Sequence, residues 1–387
     1  MNNFIFENST KIYFGKNAVK EHLIKVLSNY GNNIMLAYGE NSIKNNGIYD
    51  EVTTILKKAN KNIVEFSGIM SNPTYKKVLE GKKVAIENHI DIILGVGGGS
   101  VMDCCKAISL AVKHQGDIWQ DFYKNIGIVN FDPLPFGVIV TVAGTGSEMN
   151  GGAVITNTDL NIKTGRDYPK CNPKFAIMNP EYTYSVSKLQ TASGGFDILS
   201  HIMETYFSEP NDDNISDGIS EVLMKTIIEN LPKALKTPND YEARSNLMWA
   251  STMAENRIIK LGKKMDFEVH QIEHQLSAFT NCNHGIGLAI LQPTYYRHIY
   301  QYGLSKFVKF AQNVWNVTDN LPNEQIALLG IEKLENYIHN IGLPNKLSQI
   351  GLENINLKEI AYSCNISQGS YKLMTHQEIL EILENCK

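Results

Sequence analysis

His270, His274 and His284 fall within one stretch, HQIEHQLSAFTNCNH, while a fourth histidine, His201, follows Asp197 by four residues in GGFDILSHIMETYF. Residues four apart on a helix share a face, so Asp197 with His201 makes one candidate pair and His270 with His274 another. Imidazole nitrogens joined by a carboxylate suit a divalent first-row metal such as Zn²⁺ or Fe²⁺. Either pair alone is better explained by a solvated helix face or a hydrogen-bonded core histidine. Both pairs together with His284 favour the metal. Five candidate groups exceed what a tetrahedral catalytic site needs, and spacing does not say which three histidines ligate. One group is left for proton transfer or substrate contact. The six cysteines, Cys104, Cys105, Cys171, Cys282, Cys364 and Cys386, show no CxxC spacing. That excludes a zinc ribbon or a thioredoxin-like pair and leaves reduced structural thiols.

A second chemistry is carried by glycine. The apolar run DIIL leads into Gly95-Val96-Gly97-Gly98-Gly99-Ser100 and then into VMDCCKAISLAV. A strand, a glycine turn and a helix form a phosphate cradle, because residues without Cβ let backbone amides approach an anion at the positive end of the helix. A lone glycine run is also an ordinary structural turn. Here Ser100 stands in the third glycine place of the usual dinucleotide fingerprint, and the turn follows about the third expected strand rather than the first, which implies a different cofactor-binding topology. Ser100, Asp103 and Lys106 recur at spacings of three on one helix face. A second cluster, Ala143-Gly144-Thr145-Gly146-Ser147-Glu148, follows FGVIVTV at the expected carboxyl edge of the same sheet, where ligands of open α/β sheets bind.

These groups need elements to hold them. Asn33 to Tyr38, Asn62 to Phe66, Asp91 to Gly95 and Gly137 to Val142 read as strands, and YKKVLEGKKVAIENH after Asn72-Pro73-Thr74 reads as a crossover helix. After about Ser187 the strand signals fade, and ISDGISEVLMKTIIENLPKAL, EARSNLMWASTMAENRII and LSKFVKFAQNVWNV carry helical periodicity. The expected architecture is an α/β amino-terminal domain over residues 1–187 with a mainly parallel sheet, and an all-α domain over 188–387. A length of 387 residues with 43% apolar and 20% charged content suits such a pair. With a net charge of −4 and no basic run, nucleic acid is not an expected partner. The longest apolar runs, such as Val138 to Val142 and Ile92 to Val96, are far short of the roughly 20 residues that span a bilayer. The opening MNNFIFENSTKIYFG lacks a basic region and a continuous apolar core, so a cytoplasmic location is expected.

Taken together, GVGGGSVMDCCK, VAGTGSEMN, the Asp197/His201 pair and HQIEHQLSAFTNCNHGIGLAIL resemble the iron-containing (group III) alcohol dehydrogenases. The similarity runs from KIYFGKNAV to YKLMTHQEIL, and YEARSNLMWAS, FVKFAQNVWNV and IGLPNKLSQIGL look most like the NADPH-dependent butanol dehydrogenase branch. The resemblance implies a dinucleotide-binding amino-terminal domain, a helical carboxyl-terminal domain, an active site in the cleft between them and a homodimer. It places the metal on Asp197, His201, His270 and His284, and His274 on a non-ligating histidine of the proton path. Gly97, Gly98, Gly99 and Ser100 would hold the pyrophosphate. Asp103, also a candidate for catalysis, Thr141, Thr145 and Asn150 would line the nicotinamide side, and Lys163 would assist at phosphate or ribose.

The implied reaction is hydride transfer between NADP(H) and a small alcohol or aldehyde, with Fe²⁺ or Zn²⁺ as metal. NADP(H) is expected because Gly39 stands where NAD-using relatives carry an aspartate, with Ser42 and Lys44 able to meet a 2′-phosphate. The branch commonly reads YGGGSIK there, whereas this chain reads Tyr38-Gly39-Glu40-Asn41-Ser42-Ile43-Lys44. Two other functions compete: a metal- and NAD-dependent lyase resembling dehydroquinate synthase, and a catalytically silent nucleotide- or metal-binding protein.

Overall fold

The computed structural model describes all 387 residues. They form two compact units, Glu7–Val186 and Ser187–Lys387, the second including Met1–Phe6.

In the first unit six strands make one sheet: β1 (Lys11–Phe14), β2 (Asn33–Tyr38), β3 (Asn62–Phe66), β4 (Ile92–Gly97), β5 (Phe136–Val140) and β8 (Phe175–Met178). Their order is β1-β8-β5-β4-β2-β3, and every neighbouring pair is parallel. Parallel strands need helical crossovers that bury both faces, which is why β2, β4, β5 and β8 read as continuous apolar runs. The crossovers include α1 (Ala18–Leu27), α3 (Ile48–Lys58), α4 (Tyr75–Glu87) and α5 (Gly99–Lys113), with the short α2 (Ser42–Asn45) between β2 and α3. Val19, Leu23, Leu36, Val52, Leu94 and Ile139 belong to the core on one face. The strands β6 (Gly152–Asn157) and β7 (Ile162–Asp167) form a separate antiparallel hairpin.

Register brings the cofactor motifs to one edge. Tyr38 pairs with Val96, and Gly97 with Val140, so Gly39, Gly98 and Thr141 all leave the sheet at its carboxyl end. Two strand boundaries differ from the sequence reading. The third expected strand starts at Ile92, and the Asp91 side chain accepts a hydrogen bond from the Asn33 amide at 2.9 Å. The fourth is Phe136–Val140. The glycine turn follows the fourth strand of the chain, because β1, only four residues long, joins the sheet through β8.

The second unit is helical: α6 (Lys188–Tyr206), α7 (Ile215–Lys236), α8 (Tyr241–Glu255), α9 (Glu268–Thr280), α10 (His284–Ile299), α11 (Leu304–Lys309), α12 (Asn323–Asn340), α13 (Leu357–Ser363) and α14 (His376–Asn385). LSKFVKFAQNVWNV is not one regular helix, since α11 passes into a π-helical turn at Phe310–Val314. Its apolar side joins a cluster in which Phe207 stacks on Phe307 at 4.1 Å and meets Tyr296 edge-on at 4.8 Å. The extreme amino terminus belongs here through its own hydrogen bonds, among them the Asn2 amide to the Gly262 carbonyl at 3.0 Å. No helix is long and apolar enough to cross a membrane.

Candidate metal centre and glycine turns

α6 starts at a cap in which the Ser187 hydroxyl accepts from the Gln190 amide, and from Thr191 onwards nearly every side chain is buried. A helix apolar around its circumference belongs in a core, so the polar residues on it stand out. Asp197, His201 and Glu204 follow one another at helical spacing along one face, all buried.

α9 brings His270 in its first turn and His274 one turn later. α10 begins with His284, preceded by the cap residue Asn283, whose side chain accepts from the Ile286 amide at 3.2 Å. Gly285 then lets α10 approach α6, because a Cβ there would lie 2.2 Å from the Ser193 carbonyl oxygen.

The three helices converge on one atom. Asp197 Oδ1 lies 3.5 Å from His201 Nδ1, 3.7 Å from His270 Nε2 and 3.5 Å from His284 Nε2. Those separations are too long for good hydrogen bonds. Asp197 Oδ1, His201 Nδ1 and His270 Nε2 are buried without any hydrogen-bond partner. Orphaned polar atoms facing one another in a core are costly unless something between them satisfies them all, and a cation among one carboxylate and three imidazoles does so. The donor set therefore fits a divalent metal.

Glu204 and Glu273, both fully buried, complete the surroundings. Glu204 Oε2 accepts from His270 Nδ1 while its Oε1 accepts from the Val269 amide at 2.7 Å, and Glu273 Oε2 accepts from His284 Nδ1. The sequence reading missed both, although Glu204 stands three residues after His201 and Glu273 three after His270, spacings that mark a shared helix face. Glu273, His274 and His284 form a second close group, but its carboxylate is committed to His284. His274 is buried beside the cluster, with its ring stacked on His284 at 5.7 Å and edge-on to His270 at 6.2 Å.

Electrostatics follow this packing. Burial alone would push the Asp197 carboxyl up, but the imidazoles of His201, His284 and His270 outweigh it and hold the group well below the usual carboxylate range. Burial pushes His201 down, with Asp197 opposing. For His270 the Glu204 and Asp197 carboxylates overcome burial and raise its pKa to about 10. The Phe267 ring lies 5.1 Å from that of His270 and 5.9 Å from that of His201, and Lys260, paired with Glu255 at 2.6 Å, sits over its face.

In the first unit, Gly98 precedes α5 and Gly99 opens it; a Cβ on Gly99 would meet Thr145 at 2.4 Å, so the two glycine turns are in contact. Thr141 is buried, with its amide donating to the Gly97 carbonyl at 3.1 Å. Ser100 donates its hydroxyl to the Ser71 carbonyl at 2.5 Å. Asp103 is an anchor within the chain: one carboxylate oxygen accepts from the Ser147 hydroxyl at 2.7 Å and the other from the Val154 amide at 2.9 Å. Lys106 is wholly buried and donates to Ser147 Oγ at 2.5 Å, Asn150 Oδ1 at 2.9 Å and the Gly152 carbonyl at 2.7 Å. Asp103 and Asn150 thus tie the second glycine turn to α5. Lys163 is buried on β7 opposite Thr156.

At the end of β2, a Cβ on Gly39 would meet only the Ile69 carbonyl, at 3.5 Å, so the position has room for a side chain. Ser42 is exposed at the start of α2. Lys44 lies 3.9 Å from Glu65 Oε2 and over the Tyr38 and Tyr49 rings, so a carboxylate already faces its charge.

Residues 9–180 match the family described as iron-containing alcohol dehydrogenase, and residues 191–386 match the carboxyl-terminal part of the Fe-containing alcohol dehydrogenase family. The chain is 38% identical over 99% of both sequences to the NADH-dependent butanol dehydrogenase A of Clostridium acetobutylicum. It is 34% identical to the NADPH-dependent aldehyde reductase YqhD of Escherichia coli, covering 91% of this chain and 90% of that one. The crystal structure of NADH-dependent butanol dehydrogenase A from Thermotoga maritima superposes with a TM-score of 0.94 at 34% identity, covering 100% of this chain and 99% of that one. Matches of this extent do not favour the lyase alternative. With both halves matched, this chain belongs to the iron-containing alcohol dehydrogenase family.

Proposed function

We propose that the protein reversibly reduces small aldehydes to alcohols with NADPH, in the cytoplasm and as a homodimer. The observation that carries the reaction is Asp197 Oδ1 facing three imidazole nitrogens with no hydrogen bond to any of them. Asp197, His201, His270 and His284 hold the metal. A divalent cation with an open position supplies a Lewis acid toward the substrate oxygen, and the nicotinamide supplies the hydride. His274, stacked on His284, serves the proton path through water or a cofactor hydroxyl. The backbone amides of Gly97, Gly98, Gly99 and Ser100 cradle the pyrophosphate at the amino-terminal end of α5. Asp103 and Asn150 act by fixing the second glycine turn, where Thr141 and Thr145 line the nicotinamide side, and Lys163 assists at phosphate or ribose.

NADPH use rests on Gly39, where no carboxylate stands to repel a 2′-phosphate, with Ser42 as a donor. A second reading, NADH use, is favoured by Lys44, whose charge already faces Glu65. Six free cysteines suit a reducing compartment. The dimer reading rests on β1 at the sheet edge and on Ile5, 97% exposed in the apolar alternation that precedes it. The test is aldehyde-dependent oxidation of NADPH and NADH by metal-reconstituted protein, with butanal as probe. Turnover with neither cofactor on any of a series of small aldehydes overturns the reading.

A further inference from the structure

We propose that Glu204 and Glu273 are positioning residues that aim the imidazoles of His270 and His284 at the metal and fix their tautomers. This rests on the metal reading above. Each glutamate is fully buried, and each places Oε2 on the Nδ1 of one histidine while that ring turns Nε2 toward Asp197 Oδ1. A neutral imidazole carries one N–H and one lone pair. When Nδ1 donates to a carboxylate, Nε2 must carry the lone pair, which is the form a cation binds. Without the acceptor, the ring is free to rotate or to move its proton to Nε2, and the ligand is lost part of the time.

The two glutamates also lock helices together. Glu204, on α6, holds both the Val269 amide, an orphan donor at the start of α9, and His270 on the same helix. Glu273, on α9, holds the first residue of α10. Two of the three rings that face the Asp197 carboxylate, those of His270 and His284, are thereby oriented before metal arrives.

The environments differ in a way that makes the roles separable. Both oxygens of Glu204 face donors, so a glutamine there must turn its amide N–H toward one of them. Facing His270 Nδ1, that N–H favours the tautomer with the proton on Nε2, which cannot ligate. At Glu273, a glutamine can keep its amide oxygen on His284 Nδ1 and preserve the ligating tautomer.

The experiment is titration of the apoprotein with Zn²⁺ against a chromophoric chelator, repeated with Co²⁺ to follow its ligand-field absorption. Removal of such outer partners typically weakens metal about 10- to 100-fold. Glu273→Ala should fall in that range, Glu273→Gln should return to within about threefold of wild type, and Glu204→Gln should lose about 10- to 100-fold, with an altered Co²⁺ spectrum. The glutamine variants are isosteric and guard against loss of fold, which circular dichroism of the apoproteins checks. Wild-type affinity in Glu273→Ala overturns the proposal, as does Glu273→Gln no better than Glu273→Ala. A wild type that binds no metal overturns the metal reading itself, and this proposal with it.

Discussion

Asp197 Oδ1 on α6 lies 3.5 Å from His284 Nε2 on α10, and no hydrogen bond joins them. The separation is that of two groups facing a common point rather than of a hydrogen-bonded pair. His270→Ala, or equally His201→Ala or His284→Ala, should therefore lose metal and, with it, aldehyde reduction, because removing one of four ligands leaves an incomplete shell. Elemental analysis of the purified variants checks this. Full occupancy in His270→Ala would assign the ligand to His274 instead.

His274→Ala should keep the metal and slow turnover by on the order of 10²- to 10⁴-fold if the imidazole moves a proton. Steady-state rates on metal-loaded protein decide it. Undiminished turnover removes His274 from the proton path.

Complete removal of metal by a chelator should abolish aldehyde reduction, and at least one of Fe²⁺, Zn²⁺, Mn²⁺ or Co²⁺ should restore it, since three nitrogens and one oxygen accept several first-row ions. Activity that survives with no metal detectable would rule out Lewis-acid chemistry.

Gly39→Asp should be accommodated, because a Cβ there meets only the Ile69 carbonyl at an ordinary 3.5 Å. The new carboxylate should repel a 2′-phosphate and accept from ribose hydroxyls, each charge-assisted hydrogen bond contributing ~1.5 to 3 kcal/mol. The comparison is kcat/KM for NADPH and NADH in both proteins. A wild type preferring NADH tenfold or more would instead make Glu40 the ribose-binding carboxylate.

Gly285→Ala should lower stability by about 1 to 3 kcal/mol, the usual range for overpacking, because its Cβ would fall 2.2 Å from a backbone oxygen of α6. Since His284 is the neighbouring residue, metal affinity should drop as well. Urea unfolding and metal titration read the two effects, and an unchanged protein would mean that α10 can move away without disturbing its ligand.

Burial, reinforced by the Glu204 carboxylate, raises the pKa of Asp266 to about 7. A carboxyl with a folded pKa above its unfolded value, about 3.9, binds more protons when folded, so this contribution is fully present below about pH 4 and is lost as the pH rises toward 7. Asp266→Asn keeps an acceptor for the Tyr295 hydroxyl, which donates to Asp266 at 2.8 Å, and should flatten that slope by a few kcal/mol between about pH 4 and 7. Denaturant unfolding of the two metal-free proteins across that range measures the difference. Parallel curves would show that Asp266 ionises freely in the folded state.

The amino-acid sequence by itself marked four of the six strands of the sheet and the residue types of the candidate metal site. Short apolar and β-branched runs marked β2 and β3 to the residue, and in β2, buried from Ile34 to Tyr38, the run is continuous because a strand covered on both faces has nowhere to put polar side chains. Helical spacing put Asp197 with His201 and His270 with His274, because that periodicity is local geometry. Spacing could not choose among five metal candidates, which the family resemblance did. Tertiary structure decided what depends on distant segments meeting: that His284 turns Nε2 toward Asp197, that two buried glutamates stand behind the rings of His270 and His284, and that Asp103 spends both oxygens on Ser147 and Val154. It also set Lys44 against Glu65, a neighbour from the adjacent strand, which no pattern around Lys44 could reveal. Side-chain identity along a segment is written in the chain, whereas which atom of an imidazole or carboxylate faces which partner is fixed only when helices and strands far apart in sequence pack together.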